Sequence, residues 1–215
     1  MSIAVKICGL TNEKALTAAV DAGADYVGFV FFRRSPRYID TAAAAQLVIS
    51  IPRNVTPVGL FVDPSDTELE SVLHDVPLAM LQLHGSETPA RVAEISKKFR
   101  LKVMKALGVS SQADVVAASA YVGVADWLLF DAKPPKDATR PGGNAQAFEW
   151  ALMRSFLSHT PWMLAGGLNA GNVQAAITAS GATAVDVSSG VETKPGVKSA
   201  AKIRAFIKAV RALHG

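Results

Sequence analysis

Apolar and polar positions along the chain fall into two alternating kinds of stretch. Short, almost unbroken apolar runs occur at residues 4–8, 26–31, 56–61, 80–84, 102–106, 127–131, 162–165 and 183–187. Their length and residue types predict strands. Between them lie longer stretches of helical spacing, many of them rich in alanine, at 12–22, 41–51, 65–74, 87–99, 112–120, 147–157, 170–180 and 198–213. The punctuation agrees. Thr11 or Asn12 is placed to cap the first helix, Pro52 follows the second, and Gly-Ala pairs at 23–24 and 181–182 end a helix just before a strand.

Continuous apolar strands suit a sheet covered on both faces, and helical crossovers suit parallel strands. Eight such units in 215 residues leave roughly 27 residues each, which allows closure into a (β/α)8 TIM barrel. The competing doubly wound sheet calls for a glycine-rich turn after its first strand. Here Cys8 is followed by Gly9-Leu10-Thr11, without that spacing. A single barrel domain over residues 1–215 is expected, with reactive groups at the C-terminal strand ends.

Composition narrows the function. Half of the residues are apolar and 19% are charged, ample for a large core. No apolar run approaches a membrane span, and Met1 to Leu10 carries Lys6 without a signal-peptide layout. Cys8 is the only cysteine, so no internal disulfide forms. Cytoplasmic residence is expected. The net charge of +4 comes from scattered basic residues, the densest groups being Arg33, Arg34 and Arg37, and Lys133, Lys136 and Arg140. That distribution points to an anionic small molecule as partner rather than nucleic acid or membrane.

The strand ends carry the candidate chemistry. Cys8 is either a small buried hydrophobe or a proton acceptor, and Lys6 shares its face if strand alternation holds. As a base, its thiol would be expected below the ordinary pKa of about 8.5. Asp131 follows Leu128-Leu129-Phe130 and either caps the next loop or acts as a general acid. Gly166 and Gly167 after strand seven, with Ser188, Ser189 and Gly190 after strand eight, let backbone N–H groups approach an anion, and a helix N-terminus adds partial charge. Pro36 stiffens the loop bearing Arg37, whose fork can grip a carboxylate. Gln82 and His84 share a face, and no ligand spacing around them suggests a metal. Arg33 and Arg34 read as a solvated loop, and His74, His159 and His214 as surface residues.

Taken in order, these segments resemble the phosphoribosylanthranilate isomerase family of tryptophan biosynthesis. The resemblance covers essentially the whole chain. It rests on Lys6-Ile7-Cys8-Gly9-Leu10-Thr11, Gly28-Phe29-Val30-Phe31, Ser35-Pro36-Arg37-Tyr38, Leu81-Gln82-Leu83-His84-Gly85 and Asp131-Ala132-Lys133. It continues through Pro141-Gly142-Gly143 with Phe148 and Trp150, Leu164-Ala165-Gly166-Gly167-Leu168, and Val185-Asp186-Val187-Ser188-Ser189-Gly190-Val191-Glu192. The resemblance implies the same barrel and an Amadori rearrangement of N-(5-phosphoribosyl)anthranilate, with no metal or organic cofactor. It implies Cys8 as general base, Asp131 as general acid, and Arg37 on the anthranilate carboxylate. Asp186 would contact the amine, His84 would line the pocket, and the glycine and serine loops would hold phosphate. A phosphorylated small molecule is the implied partner, for a monomer or homodimer.

Two positions depart from the family pattern. Gly142-Gly143-Asn144-Ala145 stands where members often have a fourth glycine, so the lid is expected to differ in shape or mobility. Ser199 replaces a frequent acidic residue and is expected to cap the last helix. A related isomerase of histidine biosynthesis would place aspartate where Cys8 stands. A barrel that only binds phosphorylated ligands would have lost the acid or the base.

Overall fold

All eight expected strands form, and they pair in chain order into a closed parallel barrel. The computed structural model describes residues 2–133, 142 and 147–213. The strands are β1 (Ala4–Cys8), β2 (Tyr26–Val30), β3 (Thr56–Phe61), β4 (Met80–Leu83), β5 (Lys102–Val109), β6 (Trp127–Ala132), β7 (Trp162–Leu164) and β8 (Ala184–Val187). Closure sets Lys6 of β1 beside Asp186 of β8, while Cys8 pairs with Gly28 of β2.

The helices are α1 (Glu13–Asp21), α2 (Thr41–Ile49), α3 (Asp66–Asp75), α4 (Pro89–Phe99), α5 (Gln112–Ala117), α6 (Val173–Ser180) and α7 (Ala200–Arg211). Asn12 rather than Thr11 caps α1, accepting from the Ala15 N–H at 3.0 Å. Ser199 caps α7 as expected, accepting from the Lys202 N–H at 3.3 Å. The helix expected at 147–157 is a correction: only a 3-10 segment, Trp150–Ser155, is present, and no side chain caps its start. Phe156, which follows it, packs edge-on against Phe130 of β6 at 4.9 Å between ring centroids. A second correction follows β8. The first position assigned to the last helix, Lys198, belongs to a hairpin of β9 (Glu192–Lys194) and β10 (Val197–Lys198), turning at Pro195-Gly196.

Strand alternation divides the core. Outward residues such as Val5, Ile7, Leu81, Leu83, Leu128 and Phe130 pack under the helices. Inward residues Val58, Met80, Met104, Leu129 and Met163 fill the lumen. Above them a smaller apolar group of Cys8, Val30 and Leu60 floors the C-terminal mouth. Among the described residues, no helix is long and apolar enough to cross a membrane.

Candidate active site

A cavity at the C-terminal mouth is lined by Cys8, Arg37, His84, Asp131, Asp186, Gly166, Gly167, Ser188 and Ser189. Gly190 is not among the lining residues. It backs onto the Leu168 carbonyl, where a Cβ would lie only 1.9 Å from the oxygen. Thus the two last loops of the barrel lean on each other at Gly190 and open toward the cavity at the serines.

The last inward position of β1 belongs to Cys8, only 4% exposed. Its β2 neighbour must be glycine: a Cβ on Gly28 would stand 2.9 Å from Sγ. Two residues below, on the same face, Lys6 is fully buried and donates to Asp186 Oδ1 at 2.9 Å. Its ammonium stands on the same strand face as the thiol and pulls the thiol pKa down. Burial pushes the thiol up, outweighing the pull of Lys6, so the expectation of a lowered thiol pKa is corrected. Burial alone would also strip Lys6 of its proton, but Asp186 and Cys8 more than compensate and hold it as the cation.

Asp131 ends the inward stripe of β6 and is 8% exposed. Its Oδ1 accepts from the Ala132 N–H at 2.8 Å, and Oδ2 lies 3.5 Å from His84 Nε2. The fully buried Gln82 amide nitrogen sits 3.0 Å from His84 Nδ1. The other ring nitrogen, Nε2, is the one that faces Asp131. The turn carrying His84 is pinned from beneath. Glu87, expected to open α4, is instead buried, accepting from Lys105 Nζ at 2.7 Å and from the Gly85 and Asp63 N–H groups.

Arg37 is not a solvated arm: it is 4% exposed, and Glu192 takes its Nε at 2.7 Å and Nη2 at 2.9 Å. Glu192 also accepts from Lys198 Nζ at 2.8 Å. Burial pushes the Glu192 carboxyl up, but Arg37 and Lys198 outweigh it and hold it below its usual range. Lys198 further donates to Ser188 O at 2.9 Å, and the Ser188 hydroxyl donates to the Cys8 carbonyl at 3.1 Å. One buried polar chain therefore joins Arg37, the loop after β8 and the end of β1. Sequence reasoning missed Glu192 and Lys198 as site supports. The available signal was a charged residue on each side of a Pro-Gly turn.

After β7 the backbone turns at Gly166 with φ of 84°, where a Cβ would also meet the Ala132 nitrogen at 2.7 Å. Helix α6 begins later than expected, at Val173, and no side chain caps it. Arg33 and Arg34 are exposed, as are His74 and His159. Lys133 pairs with Asp114 at 3.1 Å. Lys136, Arg140, Pro141, Gly143, Asn144, Ala145 and His214 lie outside the described residues. Among the described residues, no group of three or more His, Cys, Asp or Glu is placed to hold a metal.

The arrangement sets a thiol and a carboxyl on separate walls of one pocket, with Arg37 and the glycine and serine loops around it. Val30, Phe32, Leu60 and Val62 add an apolar wall. Such a pocket can protonate one atom of a bound molecule and deprotonate another.

Known proteins give the same direction. The family model for N-(5'phosphoribosyl)anthranilate (PRA) isomerase matches residues 5–209. The chain is 57% identical over 211 residues to N-(5'-phosphoribosyl)anthranilate isomerase of Paramagnetospirillum magneticum, covering 98% of each. It is similar to monomers generated from the dimeric enzyme of Thermotoga maritima, with TM-score 0.83, 37% identity, and 98% and 99% of the two chains covered. It is also similar to a phosphoribosyl anthranilate isomerase solved with reduced 1-(o-carboxyphenylamino)-1-deoxyribulose 5-phosphate, with TM-score 0.84, 36% identity and the same coverage.

Proposed function

The chain belongs to the N-(5'-phosphoribosyl)anthranilate isomerase family, and from that premise we propose that Cys8 is its general base and Asp131 its general acid. The protein is an isomerase of tryptophan biosynthesis, converting N-(5'-phosphoribosyl)anthranilate into 1-(2-carboxyphenylamino)-1-deoxyribulose 5-phosphate. The observation that carries the residue assignment is the convergence of Cys8, Asp131, Arg37 and the glycine and serine loops on one cavity. One barrel domain, residues 1–215, carries the activity in the cytoplasm. Its partners are the phosphorylated substrate and at most a second copy of the chain, as in the dimeric Thermotoga maritima relative.

The chemistry divides between the two walls. Asp131 gives a proton to the ring oxygen, the C1–O bond breaks, and the nitrogen lone pair forms a Schiff base. Cys8, as thiolate, then takes the C2 proton, leaving an enaminol that tautomerises to the ketone. Asp186 faces the amine, while His84 seats the acid. The test is the loss of substrate fluorescence when the purified chain meets freshly made phosphoribosylanthranilate, together with rescue of a tryptophan auxotroph. Absence of both would remove the reading.

Arg37 is assigned to the anthranilate carboxylate, which is present in ground and transition states alike. Arg37→Ala is expected to raise KM about thirtyfold, roughly 2 kcal/mol, and to lower kcat much less. Lys198 remains to neutralise Glu192 in that variant, so the fold should survive. An unchanged KM would return Arg37 to a structural partner of Glu192.

Gly166, Gly167, Ser188, Ser189 and Gly190 are assigned to the phosphate, with Gly190 acting through loop shape. Inorganic phosphate should compete with substrate at about millimolar concentration, a binding energy of roughly 4 kcal/mol. Steady-state kinetics should show KM rising and kcat constant. Inhibition no stronger than that of chloride at matched ionic strength would count against the assignment.

A further inference from the structure

The proposed base has a physical problem. Cys8 is buried, and burial opposes the thiolate that proton abstraction needs. The charged groups facing it come from three strands. Lys6 lies two residues below on β1, Asp186 is registered beside Lys6 on β8, and Lys198 approaches from β10. Its β2 neighbour is Gly28, which brings no charge. Arg37, His84 and Asp131 line the same cavity. Of these groups, Lys6 is the cation that exerts the largest pull on the thiol.

A fully buried lysine in a barrel lumen is costly and calls for a reason. Asp186 supplies one partner at 2.9 Å. If neutralising Asp186 were its whole role, an apolar pair would serve the core as well. The ammonium, however, also stands two residues below the cysteine on the same face of β1, with both side chains buried. With the thiol protonated, the trio of Lys6, Asp186 and Cys8 is neutral. With the thiol ionised it carries one net negative charge, shared around one ammonium.

We propose that Lys6 is a positioning residue for the base: its buried ammonium, paired with Asp186 and set beneath Cys8 on the same strand face, supplies the positive charge that lets Cys8 ionise without water. Asp186 acts in the opposite sense, drawing that charge away from the sulfur. Lys6 itself transfers no proton to substrate. The inference rests on the reading of Cys8 as base and adds the group that makes that reading electrostatically workable.

Cys8 is the sole cysteine, so its alkylation rate by iodoacetamide and the ultraviolet absorbance of its thiolate report on this group alone. Both are followed against pH in the free enzyme. Lys6→Met is expected to move the midpoint up by about one pH unit or more. At neutral pH, kcat/KM should fall about tenfold for each unit of that move. Asp186→Asn should move the midpoint down, because the whole ammonium charge then faces the sulfur. Lys6→Arg keeps the charge and should stay nearer to wild type than Lys6→Met.

Should Lys6→Met fail to fold with Asp186 left unpaired, the double variant Lys6→Met/Asp186→Asn removes both charges. Its midpoint should lie above that of Asp186→Asn alone. Identical midpoints in that comparison, or an unmoved midpoint in a folded Lys6→Met, would make Lys6 a packing residue and overturn the proposal. The failure of the base assignment looks different. There Cys8→Ser keeps its turnover while the Lys6 variants still displace the thiol midpoint.

Discussion

Cys8→Ser is expected to lose turnover by about 10²–10⁴-fold, the usual contribution of a positioned base. A serine hydroxyl is a far weaker base than a thiol at neutral pH. The replacement is slightly smaller, so the close contact with Gly28, where even a Cβ would come within 2.9 Å of Sγ, is relieved rather than worsened. The hydrogen bond from Ser188 goes to the Cys8 carbonyl, which the substitution leaves in place. The melting transition should therefore stay close to wild type, as should binding of a product analogue. The wild-type profile of kcat/KM against pH should rise with the ionisation of the thiol. Burial sets that rise above the ordinary thiol range, so activity still climbs past neutrality. That thiol-dependent rise should be missing from the residual activity of the serine variant. Near-normal kcat, or the same rise without the sulfur, would return Cys8 to the core.

The second large effect concerns the acid. Asp131→Asn keeps the size of the side chain and an oxygen able to accept from the Ala132 N–H, a bond of 2.8 Å in the wild type. It cannot deliver an acidic proton to the ring oxygen. We expect kcat to fall by about 10²-fold or more, with KM moving much less, because the lost interaction belongs to the transition state. The thiol-dependent rise should persist in whatever activity remains. His84→Ala offers a comparison, since His84 Nε2 stands 3.5 Å from the carboxylate and serves to seat it. Its loss should be smaller than that of Asp131→Asn. An asparagine variant with near wild-type rate and profile would make Asp131 a loop cap and shift the search for the acid to Asp186.

How much of this was legible in advance differs from element to element. The strands were, because a parallel strand covered on both faces writes itself as an apolar run, and β1 and β3 span the residues expected of them. The 3-10 segment Trp150–Ser155 was not, since its apolar spacing reads as a full α-helix, the two helix types sharing much the same local pattern. Helix α4 starts two residues later than expected, at Pro89 behind the Thr88 cap, while Glu87 turns inward to Lys105, eighteen residues on, a contact that spacing cannot reveal.

The candidate site divides in the same way. Cys8 and Asp131 stood out because a reactive or charged residue closes an apolar run, whereas Asp186 came only from the family resemblance. Closing a run by itself puts a residue at the mouth of a barrel. What each of them touches is a matter of closure. Lys6 meets Asp186 across 180 positions, and Arg37 meets Glu192 across 155. Local periodicity fixes which face of a strand a residue takes and which end it occupies. It carries no record of which distant strand lies alongside. The chain by itself thus determined the barrel, the ends that bear chemistry and the types of group there. The direction of the Cys8 shift, the partners of Arg37 and the approach of His84 to Asp131 were decided only when the barrel closed, because buried charges respond to neighbours and to lost water rather than to sequence spacing.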